Sequence, residues 1–287
     1  MQGHDETSNA LAVNMSVGRR PLVSVGIPTF NRPEGLRRTL RLICGQTYPN
    51  LQILVSDNAS PGDETEQVVR DFSETDARVK YFRQPSNIGP IANFRFVLAE
   101  ASGDYFMWAA DDDEWDASFI ETCLAADRSC SVMTNFKTIF RARNTRDEYR
   151  VPVLSPDLSM TENVVNFFSN MQPSLFYGLH PRNSLLFTLE QSYFDFFDCY
   201  VVLRIILERG FRTIDQNLYG AGIDAPTYEI KYADAKRKRL DFRPFFLHSS
   251  MAIARCSRLS LPEKARLLLK FAQMVRMLRR YHEGQAS

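Results

Sequence analysis

Tyr105-Phe106-Met107-Trp108-Ala109-Ala110-Asp111-Asp112-Asp113-Glu114-Trp115 is the stretch on which the fold turns. Its apolar start reads as a buried strand, which the sequence predicts to run to Asp111, and three consecutive carboxylates close it. Like charges that close raise one another's pKa or recruit a cation. A hard divalent metal with oxygen ligands answers that need. Read alone, the run is equally a solvated acidic turn between a strand and a helix. What stands upstream separates the two readings.

Two earlier segments end the same way. Val23-Ser24-Val25-Gly26-Ile27 is β-branched and apolar, and it runs into Pro28-Thr29-Phe30-Asn31-Arg32-Pro33. Leu36, Leu40 and Ile43 then fall on one helical face, with Asn31 and Pro33 as start signals. Leu51-Gln52-Ile53-Leu54-Val55 ends in the turn cluster Ser56-Asp57-Asn58-Ala59-Ser60-Pro61-Gly62, and a helix follows from about Glu64 to Phe72. A short strand, Val79 to Phe82, leads through Pro85-Ser86-Asn87-Ile88-Gly89-Pro90 into a helix running to Ala101. Strands alternating with helices predict a parallel sheet with right-handed crossovers. Ligands of such sheets bind beyond the carboxyl ends of the strands. Thr29, Asn31, Asp57 and Asp111 to Asp113 all fall on that edge.

Four segments in this order, Val-Ser-Val-Gly-Ile-Pro-Thr-Phe-Asn-Arg, Leu-Val-Ser-Asp-Asn-Ala-Ser, Asn-Ile-Gly-Pro-Ile-Ala-Asn and Gly-Asp-Tyr-Phe-Met-Trp-Ala-Ala-Asp-Asp-Asp, resemble glycosyltransferase family 2 over roughly residues 20 to 225. The resemblance implies an α/β chain of GT-A type: a mostly parallel twisted sheet flanked by helices, here with a C-terminal helical appendage. It implies inverting transfer from a nucleoside-diphosphate sugar of UDP or dTDP type. Pro28, Thr29, Asn31 and Arg32 would wrap the nucleotide, and Asp57 would accept from the pyrimidine N–H. Asn87, Gly89 and Asn93 would line the ribose and diphosphate side. Asp111 and Asp112 match the family's acidic pair, Asp111 on the nucleotide and Asp112 as the direct ligand of Mn²⁺ or Mg²⁺, and Asp113, where another carboxylate is common, would be a further metal residue. Turn chemistry for Asp57 and helix capping for Asn93 are the plain alternatives.

The chemistry explains the residue types. Breaking a sugar–phosphate bond places charge on a diphosphate, which a bridging metal stabilises as it develops. Inversion also needs a base for the acceptor hydroxyl. By the resemblance, aligning on Arg204 and Gly210 puts Asp198 at that position, with Phe197 where an acidic residue is usual. Asp195 is the alternative base, and a plain helix N-cap is open for either. The loop Asp215 to Asp224 lacks the His that many members carry, and the Gln-x-x-Arg-Trp signature of processive synthases is missing. Addition of a single sugar is therefore expected. Phe140 to Tyr177 carries no legible motif, and His180 and Arg182 stand where acceptor contacts are expected.

At 287 residues with 44% hydrophobic content, one large α/β domain with a smaller appendage is expected. The boundaries predicted are 1–20 as a disordered start, 21–230 as the transferase domain (nucleotide half 21–115, acceptor half 116–230) and 231–287 as a basic helical region. No apolar run of about 18 residues and no signal-peptide core appear. The five cysteines show no paired spacing; together these predict a cytoplasmic protein, and the basic C-terminal region is what would hold it peripherally at the inner membrane face. Residues 231 to 282 hold 14 Lys/Arg against 3 Asp/Glu, so the net charge of +1 hides a dipolar molecule. Without an aromatic-interleaved or Gly-rich RNA motif, nucleic acid is not expected. An anionic membrane surface suits a lipid-linked or glycan acceptor better.

The predicted last helix opens on Ser260-Leu261-Pro262-Glu263, a capping-box pattern. Its apolar stripe is Leu267, Leu268, Phe271, Met274, Val275 and Leu278, flanked by basic residues. The stripe either packs on its own domain or lies in a lipid interface. The rival to an enzyme is a transferase-like protein that binds nucleotide sugar without turnover, and the position of Asp198 discriminates the two. A sugar nucleotidyltransferase would need a Gly-rich phosphate loop near its N-terminus, which is absent, and a phosphatase would need its acidic pair after the first strand, where Thr29 and Asn31 stand.

Overall fold

The computed structural model describes residues 20–141, 144–222 and 240–285. The predicted disordered start, the end of the loop at Ile223 and Asp224, and the basic run 231–239 lie outside the described residues.

Strands β1 (Val23–Thr29), β2 (Leu51–Asp57), β3 (Val79–Arg83) and β4 (Tyr105–Trp108) pair in parallel in the order β3-β2-β1-β4. Every residue of β1, β2 and β4 is buried. Continuous apolar and β-branched runs are what a parallel sheet covered on both faces requires. Helices α1 (Pro33–Cys44), α2 (Glu64–Ser73) and α3 (Pro90–Ala99) are the crossovers. Leu36, Leu40 and Ile43 of α1 are fully buried, as their spacing predicts. The N-cap of α1 is Arg32 and not Asn31, which instead takes a left-handed conformation (φ 54°) and donates its N–H to Ser60 Oγ at 2.7 Å.

The register sets Thr29 opposite Asp57 and Gly26 opposite Trp108. Both strand ends and the chain leaving β4 therefore share one edge. β4 stops at Trp108, three residues before the predicted Asp111. The acidic run is a turn between β4 and a two-residue strand, β5 (Glu114–Trp115).

Beyond α4 (Phe119–Ala126) the chain builds a second, mixed sheet that the sequence does not announce. It comprises β5, the long strand β6 (Ser131–Phe140), β7 (Thr145–Tyr149) and β9 (Phe211–Gly222), in the order β5-β9-β6-β7. β6 and β9 run parallel, and the outer pairs are antiparallel. The stretch without a motif, from the last residue of β6 onward, thus holds β7, helix α5 (Met160–Ser169) and a 3-10 segment, Pro173–Tyr177. A full capping box between Ser159 and Glu162 starts α5. A two-residue strand, β8 (His180–Pro181), closes the first sheet antiparallel to β4.

Helices α6 (Phe197–Glu208), α7 (Phe242–Arg255) and α8 (Leu261–Gln285) form the appendage. The apolar stripe of α8 belongs to the core. Leu267 and Phe271 are fully buried and Val275 nearly so, with Phe271 5.2 Å from Phe168 of α5 and 5.3 Å from Phe245 of α7. Glu263 accepts from the N–H and hydroxyl of Ser260, as the capping pattern predicts. All five cysteines are free thiols.

Candidate active site

The acidic turn is held from both sides. Thr29, at the end of β1, donates to Asp111 Oδ2 at 2.8 Å. Arg32 Nη1 donates to Asp111 Oδ1 at 2.8 Å and to Asp112 Oδ2 at 3.0 Å. The cation that the carboxylate run calls for is supplied within the chain, by the residue that caps α1. Glycine is required around this turn: a side chain at Gly35 would collide with the Asp111 carbonyl, and one at Gly222 with the Asp112 carbonyl.

The three carboxyl groups differ. Burial pushes Asp111 up, against the pull of Arg32 and Thr29. Asp113 turns toward β9, where its oxygens accept from Tyr219 Oη at 2.6 Å and from the Gly222 N–H at 2.9 Å. Burial and the neighbouring Asp112 push its carboxyl well above the usual carboxylate range. Asp113 thus braces the turn against β9 while lining the same cavity as Asp112, and both of its oxygens already have partners within the chain. Asp112 is half-buried and exposed to the cavity.

That cavity, of about 790 Å³, opens at the carboxyl edge of the first sheet and runs under the second. Of the predicted residues, Pro28, Thr29, Arg32, Asn93, Asp111, Asp112 and Asp113 line it. Asn93 also ties α3 to β2, accepting from Ser56 Oγ at 2.6 Å and donating to the Ser56 carbonyl at 2.9 Å. The opposite wall is aromatic: Phe136 stacks on Tyr149 at 5.3 Å and Tyr177 on Tyr219 at 6.0 Å. The hydroxyl of Ser174 lies on this wall, buried and with no hydrogen-bond partner among the described residues.

Other predicted residues stand elsewhere. Asp57 reaches the right edge but is fully buried, accepting from the Ser60 N–H and from Tyr81 Oη, each at 2.9 Å. Its neighbour Asn58 lines the cavity in its place. Asn87 accepts from Asn58 Nδ2 at 3.0 Å and from the Gly89 N–H at 2.9 Å, which shapes the loop behind the cavity without lining it. Gly89 takes the left-handed conformation there (φ 83°). Asn31 does not line it either.

His180 is corrected outright as an acceptor contact. It is fully buried, with Nδ1 2.8 Å from Ser131 Oγ and Nε2 3.0 Å from the Phe176 carbonyl. Burial lowers its pKa to about 4. Arg182 donates its N–H to the Asp104 carbonyl, just ahead of β4. That is the amino end of the strand, opposite the cavity, and Arg182 is corrected with it.

Asp198 sits in the first turn of α6, after Phe196 in the left-handed region (φ 64°). Burial raises its carboxyl, which accepts from the Cys199 N–H at 2.7 Å. It does not line the cavity, but α6 packs against the 3-10 segment that does. Asp195 instead accepts from the Asp241 N–H at 2.8 Å and fastens the start of α7.

Sequence reasoning missed Asn58, Phe136, Thr138, Tyr149, Ser174, Tyr177 and Tyr219. Phe136 and Thr138 share one face of β6 by two-residue alternation, a signal that was there to read.

A family model described as glycosyl transferase family 2 matches residues 24–181, more than half of the chain. The chain belongs to that family. A relative from Campylobacter jejuni, GalNAc(5)-diNAcBac-PP-undecaprenol beta-1,3-glucosyltransferase, is 37% identical over 105 residues, 36% of this chain and 34% of the relative. Glycosyltransferase GlyA of Streptococcus pneumoniae is 33% identical over 100 residues, 35% of this chain and 14% of that protein. The match thus spans 34% of the first relative and 14% of the second, well under two thirds of either. The crystal structure of S. aureus TarS 1-349 in complex with UDP-GlcNAc superposes with a TM-score of 0.69 at 16% identity, covering 88% of this chain and 72% of that one. The likeness extends the shared α/β fold, with its sheets, flanking helices and helical extension, well past the family match.

Proposed function

We propose that this family member is a metal-dependent inverting glycosyltransferase of GT-A type that moves one sugar from a UDP- or dTDP-sugar to a hydroxyl acceptor. The observation that carries the reading is the Thr29–Arg32–Asp111–Asp112 constellation opening onto a cavity with an aromatic far wall. Charged groups on one side and stacking faces on the other suit a ligand that is a diphosphate at one end and rings at the other.

The donor chemistry fits Mn²⁺ or Mg²⁺. Among the described residues no group of three or more metal-ligating side chains occurs. One or two carboxylates together with the phosphates of a substrate are the usual ligands of such a hard cation. Asp112 would hold it, with Asp111 beside it. When bound, the metal supplies charge stabilisation for the departing diphosphate. Arg32, drawn off the carboxylates, would turn its guanidinium to the same phosphate oxygens. Thr29, Asn58 and Asn93 orient the nucleotide, with Asp57 and Asn87 shaping their loops.

Asp198 would take the proton of the acceptor hydroxyl as its oxygen bonds to the anomeric carbon and the bond to the diphosphate breaks. A carboxyl raised by burial is better matched to that task than an exposed one. The second reading, nucleotide-sugar binding without turnover, is favoured by the place of Asp198 outside the cavity lining. The missing Gln-x-x-Arg-Trp signature supports single addition.

Among the described residues no helix is long and apolar enough to cross a membrane. The proposal places the chain in the cytoplasm, peripheral at the inner membrane face, acting on a glycan or lipid-linked acceptor. The surface that would meet lipid is the outer ridge of α8. Leu261, Leu269, Met277 and Tyr281 are exposed there, with Arg266, Arg276 and Arg280 beside them.

Thermal melting against a panel of nucleotide sugars, with and without Mn²⁺, tests the donor half, because a ligand of the native state raises its stability. Metal-dependent stabilisation by pyrimidine donors is expected. Release of UDP or dTDP on adding acceptor extract separates turnover from binding alone.

A further inference from the structure

A second cavity, of about 630 Å³, lies between α6 and α7 and shares no lining residue with the first. Its walls carry Arg204 and Tyr200 from α6, His248 and Arg255 from α7, and Ser257 and Arg258 from the link to α8. Glu208 is the one carboxylate lining it.

The charges do not cancel. Arg204 donates through Nε to Glu208 Oε1 at 2.6 Å and through Nη1 to Tyr200 Oη at 3.2 Å, and its guanidinium lies 4.3 Å from the Phe187 ring centroid. That arginine is fixed and answered. Arg258 reaches the Glu208 carbonyl with Nη1 at 3.3 Å, and no carboxylate pairs with it among the described residues. Arg255 has no ion-pair partner among them. Two guanidiniums thus remain in excess at the rim of a deep cleft, above a floor with a hydroxyl on Tyr200 and the ring of His248, itself stacked 4.8 Å from Phe194.

We propose that this cleft binds a phosphate or diphosphate group. Guanidinium pairs match phosphate oxygens two at a time, and their weaker hydration lets them give up water to do so. The hydroxyl of Ser257 supplies a further donor, and the wall formed by Leu207 and Met251 accepts the apolar part of a phosphate ester. The site stands on its own side of α6 and needs nothing from the donor cavity.

Calorimetric titration of inorganic pyrophosphate into the full chain tests it, run beside Arg255→Gln/Arg258→Gln and beside Arg32→Gln. Both rim arginines are exposed, so the double variant keeps its fold, which its melting curve checks. The expected result is an association that survives Arg32→Gln and weakens at least about tenfold in the double variant, the scale of one lost charged contact. No association, or one the double variant leaves unchanged, overturns the proposal. Flotation with phosphatidylcholine vesicles, with and without phosphatidic acid, separates the sources. Phosphatidic-acid-dependent flotation lost in the double variant marks a lipid headgroup. Flotation unaffected while pyrophosphate binding falls marks a soluble phosphate ester.

Discussion

Arg32 Nη1 lies 2.8 Å from Asp111 Oδ1, so the residue that caps the first crossover helix is also the counter-ion of the acidic turn. The pair is mostly buried, with side-chain exposures of 19% and 8%. Removing one partner leaves an uncompensated charge where desolvation is costly. Arg32→Ala is expected to lower unfolding free energy by about 2 kcal/mol at neutral pH, a partly exposed pair losing less than a fully buried one. The loss shrinks in acid, as Asp111 takes up a proton. Mn²⁺ is expected to stabilise the variant more than the parent, because the guanidinium no longer competes for the carboxylates. Urea unfolding with and without Mn²⁺ measures both effects, and an unchanged midpoint would show that the ion pair contributes nothing.

His180 makes the fold sensitive to acid. Its ring stays neutral in the native state because burial lowers its pKa from 6.5 to about 4. The unfolded ring takes a proton below its ordinary pKa, so the unfolded state binds more protons between those two values. Stability contributed by the neutral ring is complete above pH 6.5 and is lost as pH falls toward 4, by about 3 kcal/mol for this residue. Urea midpoints at pH 7, 5.5 and 4.5 should fall more steeply in the parent than in His180→Gln, which cannot titrate there. Parallel slopes would mean that the ring is not held neutral.

Asp198→Asn is expected to reduce kcat by about 10² or more and to leave donor affinity within a factor of two or so, because a base acts on the acceptor proton and not on the nucleotide. Asp195→Asn is expected instead to lower stability, since Asp195 fastens the start of α7 through the Asp241 N–H. Loss of donor binding in Asp198→Asn would remove it from the role of base.

The two faces of α8 predict separable effects. Phe271→Ala should cost about 3–5 kcal/mol of stability, as a fully buried aromatic truncated among Phe168, Phe245 and Phe246. Arg276→Glu/Arg280→Glu touches only the outer face and should leave the melting temperature unchanged. Each basic residue near an anionic surface contributes about 1 kcal/mol, so the double reversal should cut low-salt flotation on anionic vesicles by at least about tenfold. Flotation that the reversal does not change would set α8 aside as a lipid-facing element.

Much of the nucleotide half was legible because its signals are local. β1 and β2 are rich in apolar and β-branched residues, α1 keeps its helical spacing, and the turn residues sit where the strands end. The second sheet was not, because its strands are defined by partners. All five residues of β7, Thr145–Tyr149, are exposed and the first four are polar, so only pairing with β6 makes them a strand. β5 and β8 have two residues each, too short for any alternation to show. Site residues failed for the same reason. Nothing near Asp57 reveals that Tyr81, 24 positions on, covers its carboxylate. The local pattern around His180 looks like a turn, and only the pairing of β8 with β4 buries it. The α8 stripe was read correctly, but whether it meets lipid or α5 and α7 is a matter of tertiary packing.

Calorimetry of UDP binding to the parent and to Asp112→Ala, in Mn²⁺ and in EDTA, tests the central claim most directly. Asp112 lines the cavity and pairs with Arg32, so its removal spares the braces that Asp111 and Asp113 provide. The account predicts that the parent binds UDP in Mn²⁺, and that EDTA or Asp112→Ala each weakens the association at least about tenfold without loss of fold. UDP binding of equal strength in EDTA, or undiminished in Asp112→Ala, would contradict it.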